Sequence, residues 1–156
     1  MDSKQGEITV GRSTRDQLSL FSSWEGDHET SPYILPTTLD QHHSYFSRPE
    51  ITYLTISRHE EPVGYFILAF EPGGESIEFR RIVMAEKGRG IAQKAIPLME
   101  LYCHETAQPG RIWLDVFDFN LRGIHVYEKL GYRRFDQREL DGKLLFFYEK
   151  LFNRSD

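Results

Sequence analysis

Ile8 and Val10 alternate with polar neighbours across Glu7–Arg12, the period-two pattern of a short strand. Leu18 and Phe21 then stand at helical spacing within Thr14–Trp24, with Thr14 placed to cap a helix there. Gly26–Pro36 is polar and bounded by proline, as a loop would be, and Thr38-Leu39-Asp40-Gln41 has the pattern of a capping box opening a second short helix to about Phe46. In the middle of the chain the period shortens. Ile51–Arg58 alternates and stops at the charged turn His59-Glu60-Glu61-Pro62, Val63–Phe70 is almost wholly apolar, and Glu71-Pro72-Gly73-Gly74 signals a second turn. Ser76–Met84 follows as a further strand with Arg80 and Arg81 near its centre. Connections this short predict an antiparallel meander, because a parallel crossover needs a dozen residues or more.

After Met84 the pattern becomes helical. Ile91, Ala95, Leu98, Met99 and Tyr102 recur at the spacing of a helix running to about Ala107. Pro97 removes one backbone bond from it and is expected to kink it or shift its start. Gln108-Pro109-Gly110 closes this helix, Ile112–Phe117 reads as a strand, and Asn120–Leu130 as a helix ended by Gly131. Tyr132–Gln137 is a further strand, and Asp141-Gly142 makes a hairpin turn before Leu144–Tyr148. The order β-α-α-β-β-β-α-β-α-β-β is a mixed α/β plan, and 156 residues fit a single domain spanning 1–156.

Charge narrows the partners. The net charge of −5 and a longest basic cluster of only Arg133-Arg134, with Arg138 near, give no basic stripe for a nucleic acid. The first residues lack the apolar core of a signal peptide, and no apolar run approaches the ~18 residues of a membrane span. Cys103 is the single cysteine, which excludes an internal disulfide and suits a reducing compartment. A cytoplasmic protein, monomeric or homodimeric, is the expectation. No spacing among the histidines at 42, 43, 104 and 125 suggests a metal site, and His42-His43 is expected on a solvated helix face. Trp24, Tyr33, Tyr45 and Phe46 are expected to pack in the core.

The chemistry concentrates at Lys87-Gly88-Arg89-Gly90-Ile91-Ala92. Glycines there let a ligand approach the backbone closely, and the start of the following helix offers unpaired N–H groups to a phosphate. A P-loop is excluded, because Gln93 stands where its second glycine belongs and Ala95 follows Lys94 in place of Ser or Thr. A dinucleotide fingerprint is half met: Gly88 and Gly90 fit, but Gln93 occupies the third glycine site and a meander precedes the loop.

Lys87-x-x-Gly90-x-Ala92 instead resembles the pyrophosphate loop of GNAT-type N-acetyltransferases, with Lys87 in place of the usual Gln or Arg. Downstream, Asn120-x-Arg122-Gly123 and Tyr127-Glu128-Lys129-x-Gly131-Tyr132 resemble the second signature of that family, with Gly123 for its usual alanine and Tyr132 for its usual phenylalanine. The two occur in the family's order. The resemblance implies a mostly antiparallel, twisted sheet of about seven strands with helices on both faces, splayed between the fourth and fifth strands. It implies acetyl-CoA as co-substrate, with no metal, and direct transfer to a primary amine: a small molecule, an amino acid or a peptide N-terminus.

By the same resemblance, cofactor contacts fall to Ile82, Val83 and Met84, whose backbone would pair with the pantetheine arm and polarise the thioester, to Lys87, Gly88, Arg89, Gly90, Ile91, Ala92 and Gln93, and to Asn120 and Tyr127. Tyr127 is the implied proton donor to the leaving thiolate, and Glu78 the implied base, with Asp115 as its rival on the fifth strand. Strand alternation puts Glu78 and Arg80 on one face and Phe79 and Arg81 on the other. Two other readings stay open: a non-catalytic acyl-CoA sensor on the same fold, and a nucleotide-binding regulatory domain using the Gly88/Gly90 loop.

Overall fold

Among the described residues seven strands form one sheet in the order β1-β2-β3-β4-β5-β7-β6. They are β1 (Ile8–Arg12), β2 (Ile51–Arg58), β3 (Glu61–Phe70), β4 (Ser76–Met84), β5 (Arg111–Phe117), β6 (Arg133–Leu140) and β7 (Lys143–Leu151). The helices are α1 (Leu18–Glu25), α2 (Leu39–Phe46), α3 (Ile91–Thr106) and α4 (Leu121–Lys129). This computed structural model describes residues 7–25, 37–86 and 90–153. The loop expected at 26–36, with Tyr33, and the expected ligand residues Lys87, Gly88 and Arg89 lie outside the described residues. All neighbouring strands are antiparallel except β4 and β5, which are parallel. Among the described residues no helix is long and apolar enough to cross a membrane.

The apolar run of β3 is explained by burial on both faces. Phe66 and Leu68 belong to a core that includes Ile91, Ala95, Ile96 and Met99 of α3 and Tyr127 of α4. Tyr65 and Ile67, pointing the other way, join Leu18 and Phe21 of α1, with Trp24, Tyr45 and Phe46 packed alongside. Each fully buried aliphatic or aromatic side chain contributes about 1.5–3 kcal/mol relative to exposure, so the two clusters fasten helices to both sides of β2–β4. At Gly64 an added Cβ would lie 2.7 Å from the Val83 carbonyl oxygen, so β3 and β4 approach there as only glycine permits.

Pattern and structure differ at several ends. Only Leu18–Glu25 of the expected first helix is α-helical, and Arg15–Gln17 before it is a tighter turn in which the Thr14 amide donates to Gln17 Oε1 at 2.9 Å. Strands β3, β6 and β7 run longer than expected. β6 is exposed along its whole length and is held by its hairpin with β7, so no apolar period marks it, while its charges protect a sheet edge. Pro97 neither delays nor ends α3, which runs unbroken from Ile91 to Thr106 with Pro97 on its exposed side.

The expected sharing of a face by Phe79 and Arg81 is incorrect. Leu68 pairs with Phe79, but its neighbour Ile67 pairs with Arg81, so Arg80 is an extra residue in β4. Such a bulge shifts the alternation by one. Ile77 and Phe79 enter the core beneath α3, while Val83, beyond the bulge, enters the core beneath α1. Glu78, opposite Ala69, and Arg81, opposite Ile67, therefore share the α1 side.

Candidate active site between the splayed strands

Strands β4 and β5 are paired only from Ser76 to Glu78 against Arg111 to Trp113. β4 continues to Met84 and β5 to Phe117 without further pairing, so the two part and leave the β4 backbone edge facing a cavity of about 620 Å³. Ile82 and Met84 line that cavity from β4, Gly90, Ile91, Ala92 and Gln93 from the start of α3, and Asn120 and Tyr127 from α4. Val83 does not line it, because its side chain is fully buried in the opposite core.

Local geometry explains these placements. Gly90 caps α3 at φ 69°, a left-handed conformation natural to glycine, and a Cβ there would meet no atom of the described residues within 4 Å. Asn120 caps α4, its Oδ1 accepting from the Gly123 amide at 3.0 Å. Tyr127 is 9 % exposed and meets Phe79 edge-on at 5.8 Å between ring centroids. Burial pushes its phenol above the usual tyrosine range, and the Asp115 carboxylate adds to the push. Its hydroxyl has no hydrogen-bond partner among the described residues.

Glu78, Asp115 and Glu25 stand near the splay in different surroundings, and Glu86 also lines the cavity. Glu78 occupies the last paired position, opposite Trp113, and is held by Arg80 through Nη2 at 2.9 Å and Nε at 3.2 Å; it is not among the lining residues. Asp115 is the next residue of β5 on that face, lines the cavity and has no ion pair among the described residues. Its carboxyl is raised above the usual range, first by the protein packed around it and then by the Glu78 charge, with Arg80 and Arg81 pulling the other way. Asp115 is exposed to solvent although the protein is packed around it. Glu25 is 1 % exposed, and its carboxyl sits below the usual range: burial, the largest influence, pushes it up, and bonds from His42, Tyr65 and Thr37 with the Arg81 charge outweigh that.

The Glu25 network is invisible to pattern reading. His42, expected on a solvated helix face, is fully buried: Nε2 meets Glu25 Oε2 and Nδ1 meets the Tyr53 hydroxyl at 2.6 Å. The Tyr65 hydroxyl also donates to Glu25 Oε2. Oε1 accepts from Arg81 Nη1 at 2.7 Å and from the Thr37 amide at 2.9 Å. With Nε2 protonated and Nδ1 accepting, a neutral His42 satisfies both partners. Arg81, also bonded to Thr37 Oγ1 at 2.7 Å, lines the cavity and joins this network to the site. Cys103 is fully buried and its thiol is pushed up to about 12 by burial, with Glu100 adding to it, which makes it an inert packed group. Among the described residues no group of three metal-binding side chains is assembled.

The sequence matches the family model described as acetyltransferase (GNAT) family over residues 17–132. Among solved structures, the chain is similar to aminoglycoside acetyltransferase AAC(6')-Ib in complex with coenzyme A and kanamycin, at 17% identity and a TM-score of 0.79 over 93% of this chain and 95% of that one. The same enzyme with paromomycin and acetyl-CoA gives 17% identity and a TM-score of 0.79 over 92% and 93%. A chimera of spermidine N-acetyltransferase SpeG from Vibrio cholerae and hSSAT gives 16% identity and 0.79 over 93% and 95%.

Proposed function

The chain belongs to the acetyltransferase (GNAT) family, and from that premise we propose that it moves the acetyl group of acetyl-CoA to a primary amine by direct attack, without a covalent enzyme intermediate. The splay of β4 from β5 carries this reading. It leaves an unpaired strand edge, able to bond the amides of a pantetheine arm, running toward the open start of a helix, where a pyrophosphate is favoured. Acetyl-CoA, when bound, supplies an activated thioester and a thiolate leaving group. Ile82 and Met84 with Gly90 to Gln93 would hold it, and Lys87, Gly88 and Arg89 are proposed to join them.

Asp115 is our choice of base over Glu78. Arg80 already engages the Glu78 carboxylate, whereas Asp115 faces the cavity without an ion pair among the described residues. A raised carboxyl is a stronger base toward the ammonium form of an acceptor, and general-base assistance is worth ~10²–10⁴-fold in rate. Tyr127 is protonated at neutral pH, and its hydroxyl, without a partner among the described residues, can present that proton to the cavity. Asn120 shapes the wall beside it. The acceptor is a small amine, an amino acid or a peptide N-terminus. The aminoglycoside and spermidine of the structural neighbours are polycationic amines, and Asp115 would attract such a group.

Titration calorimetry with acetyl-CoA, beside ATP and NAD, tests the reading, followed by a turnover assay on an amine panel. Binding of acetyl-CoA alone, with release of thiol when an amine is added, supports it. Preference for a nucleotide, or binding with no turnover on any amine, overturns it.

A further inference from the structure

A fully buried carboxylate with every lone pair engaged usually serves the fold. Glu25 does that, since its partners come from α2, β3, β4 and the start of the α2 cap. One of those partners has a second surface, however. Arg81 is 17 % exposed and lines the cavity from β4, as Asp115 does from β5 across the splay. Because of the bulge at Arg80, the guanidinium reaches the α1 side of the sheet, where Glu25 waits, while β4 still borders the cavity.

Building on the acyl-transfer reading above, we propose that Glu25 is a positioning residue: from the buried side of the sheet it fixes the Arg81 guanidinium at the cavity wall and partly neutralises it, and so sets how firmly Asp115 holds its proton. Among the described residues, few charged and titratable groups surround Asp115. β4 presents Glu78, Arg80 and Arg81, α4 presents Tyr127, and β7 places the apolar Phe147 directly opposite. Glu86, Arg122 and His125 line the same cavity. Arg80 is paired with Glu78 and Arg81 with Glu25, so two ion pairs flank a carboxylate that has none among the described residues.

The arrangement gives opposite signs to the two halves of one pair. Glu25→Gln keeps a hydrogen-bonding side chain but removes the counter-charge, leaving Arg81 more positive toward Asp115, so the aspartate should ionise at lower pH. Arg81→Gln removes the cation, so Asp115 should ionise at higher pH. Damage to the fold predicts no such opposition. The Asp115 carboxyl ¹³C resonance, assigned by its loss in Asp115→Asn, is followed against pH in wild type and both variants, with thermal melts recorded alongside. Midpoints moving down in Glu25→Gln and up in Arg81→Gln, each by about half a unit or more, are the expected result. Tyr65→Phe, which removes a donor to Glu25 but no charge, should leave the midpoint in place. Movement of both charge variants in one direction, or of neither, overturns the proposal; if Glu25→Gln does not fold, a midpoint in Arg81→Gln that fails to rise does the same. A pH profile of kcat/KM measured in parallel separates the two readings. Opposed NMR midpoints establish the coupling, and a kcat/KM limb that ignores them refutes Asp115 as the base without touching it.

Discussion

Phe79 and Arg81 lie two residues apart on β4 and face opposite sides of the sheet, Phe79 against Tyr127 and Arg81 against Glu25. The inserted Arg80 causes the reversal. Without it Arg81 would point into the apolar core beneath α3, where an unpaired charge costs several kcal/mol. With it, Ile82 and Met84 return to Phe79's side and line the cavity, and the cation stays with its buried partner.

Removing the base should separate the two candidate carboxylates. Asp115→Asn is expected to lower kcat/KM by ~10²–10⁴-fold, and Glu78→Gln by about tenfold or less. In wild type, activity should fall as pH drops through a midpoint above the ordinary carboxylate range, because the ionised form is the active one. The sign for stability is the reverse: a carboxyl raised in the folded state opposes folding once ionised, so Asp115→Asn should melt no lower than wild type at pH 8. Steady-state pH profiles and thermal melts check both.

Tyr127→Phe is expected to lower kcat by about 10²-fold with acetyl-CoA KM and melting temperature nearly unchanged. The hydroxyl has no partner to lose among the described residues, and the ring's contact with Phe79 remains. A large stability loss with little loss of kcat would assign the hydroxyl to packing.

At Gly90 the cost of substitution is backbone strain, because φ is 69° and no described residue crowds the site. Gly90→Ala forces about 1–2 kcal/mol of left-handed strain and should raise KM for acetyl-CoA about tenfold. Gly90→Asn tolerates that conformation better and should recover much of the loss, which a clash with the ligand would not allow.

Tyr65→Phe deletes one donor to a buried carboxylate and should cost about 1.5–3 kcal/mol in urea unfolding. Glu25 titrates below its ordinary value in the folded chain, so its contribution is present above the unfolded carboxylate pKa and is lost as pH falls through the lower, folded one. Glu25→Gln should therefore show a flatter acid limb of stability than wild type.

The parts legible in the sequence share one property: their signal is local. Ile51–Arg58 carries its period within itself, Ser76–Met84 is bounded by the Pro-Gly-Gly turn and the glycine loop, and the observed bounds of both are those expected. Gly90 and Asn120 mark helix starts by residue type alone. Glu25, His42, Tyr53, Tyr65 and Arg81 come from five different elements, and no window of sequence brings them together. The bulge is hidden for another reason, since an inserted residue looks like any other in a strand. Gly123 shows the limit of a propensity argument. An alanine there should favour the helix by about 1 kcal/mol, yet its Cβ would lie 2.8 Å from Asn120 Nδ2, so the glycine makes room for the cap.

The strand order has a consequence for how the protein is made. β5 is joined to β4 by a short parallel stretch, and its long antiparallel partner is β7, the last strand in sequence, with β6 outside it. During synthesis on the ribosome, β1–β4 with α1 and α2 can assemble while β5 waits, nearly unpartnered, for residues 143–151 to emerge. One wall of the cavity is thus completed last, and a nascent chain stalled before β7 should protect β2–β3 amides from hydrogen exchange while those of Leu114–Val116 exchange freely.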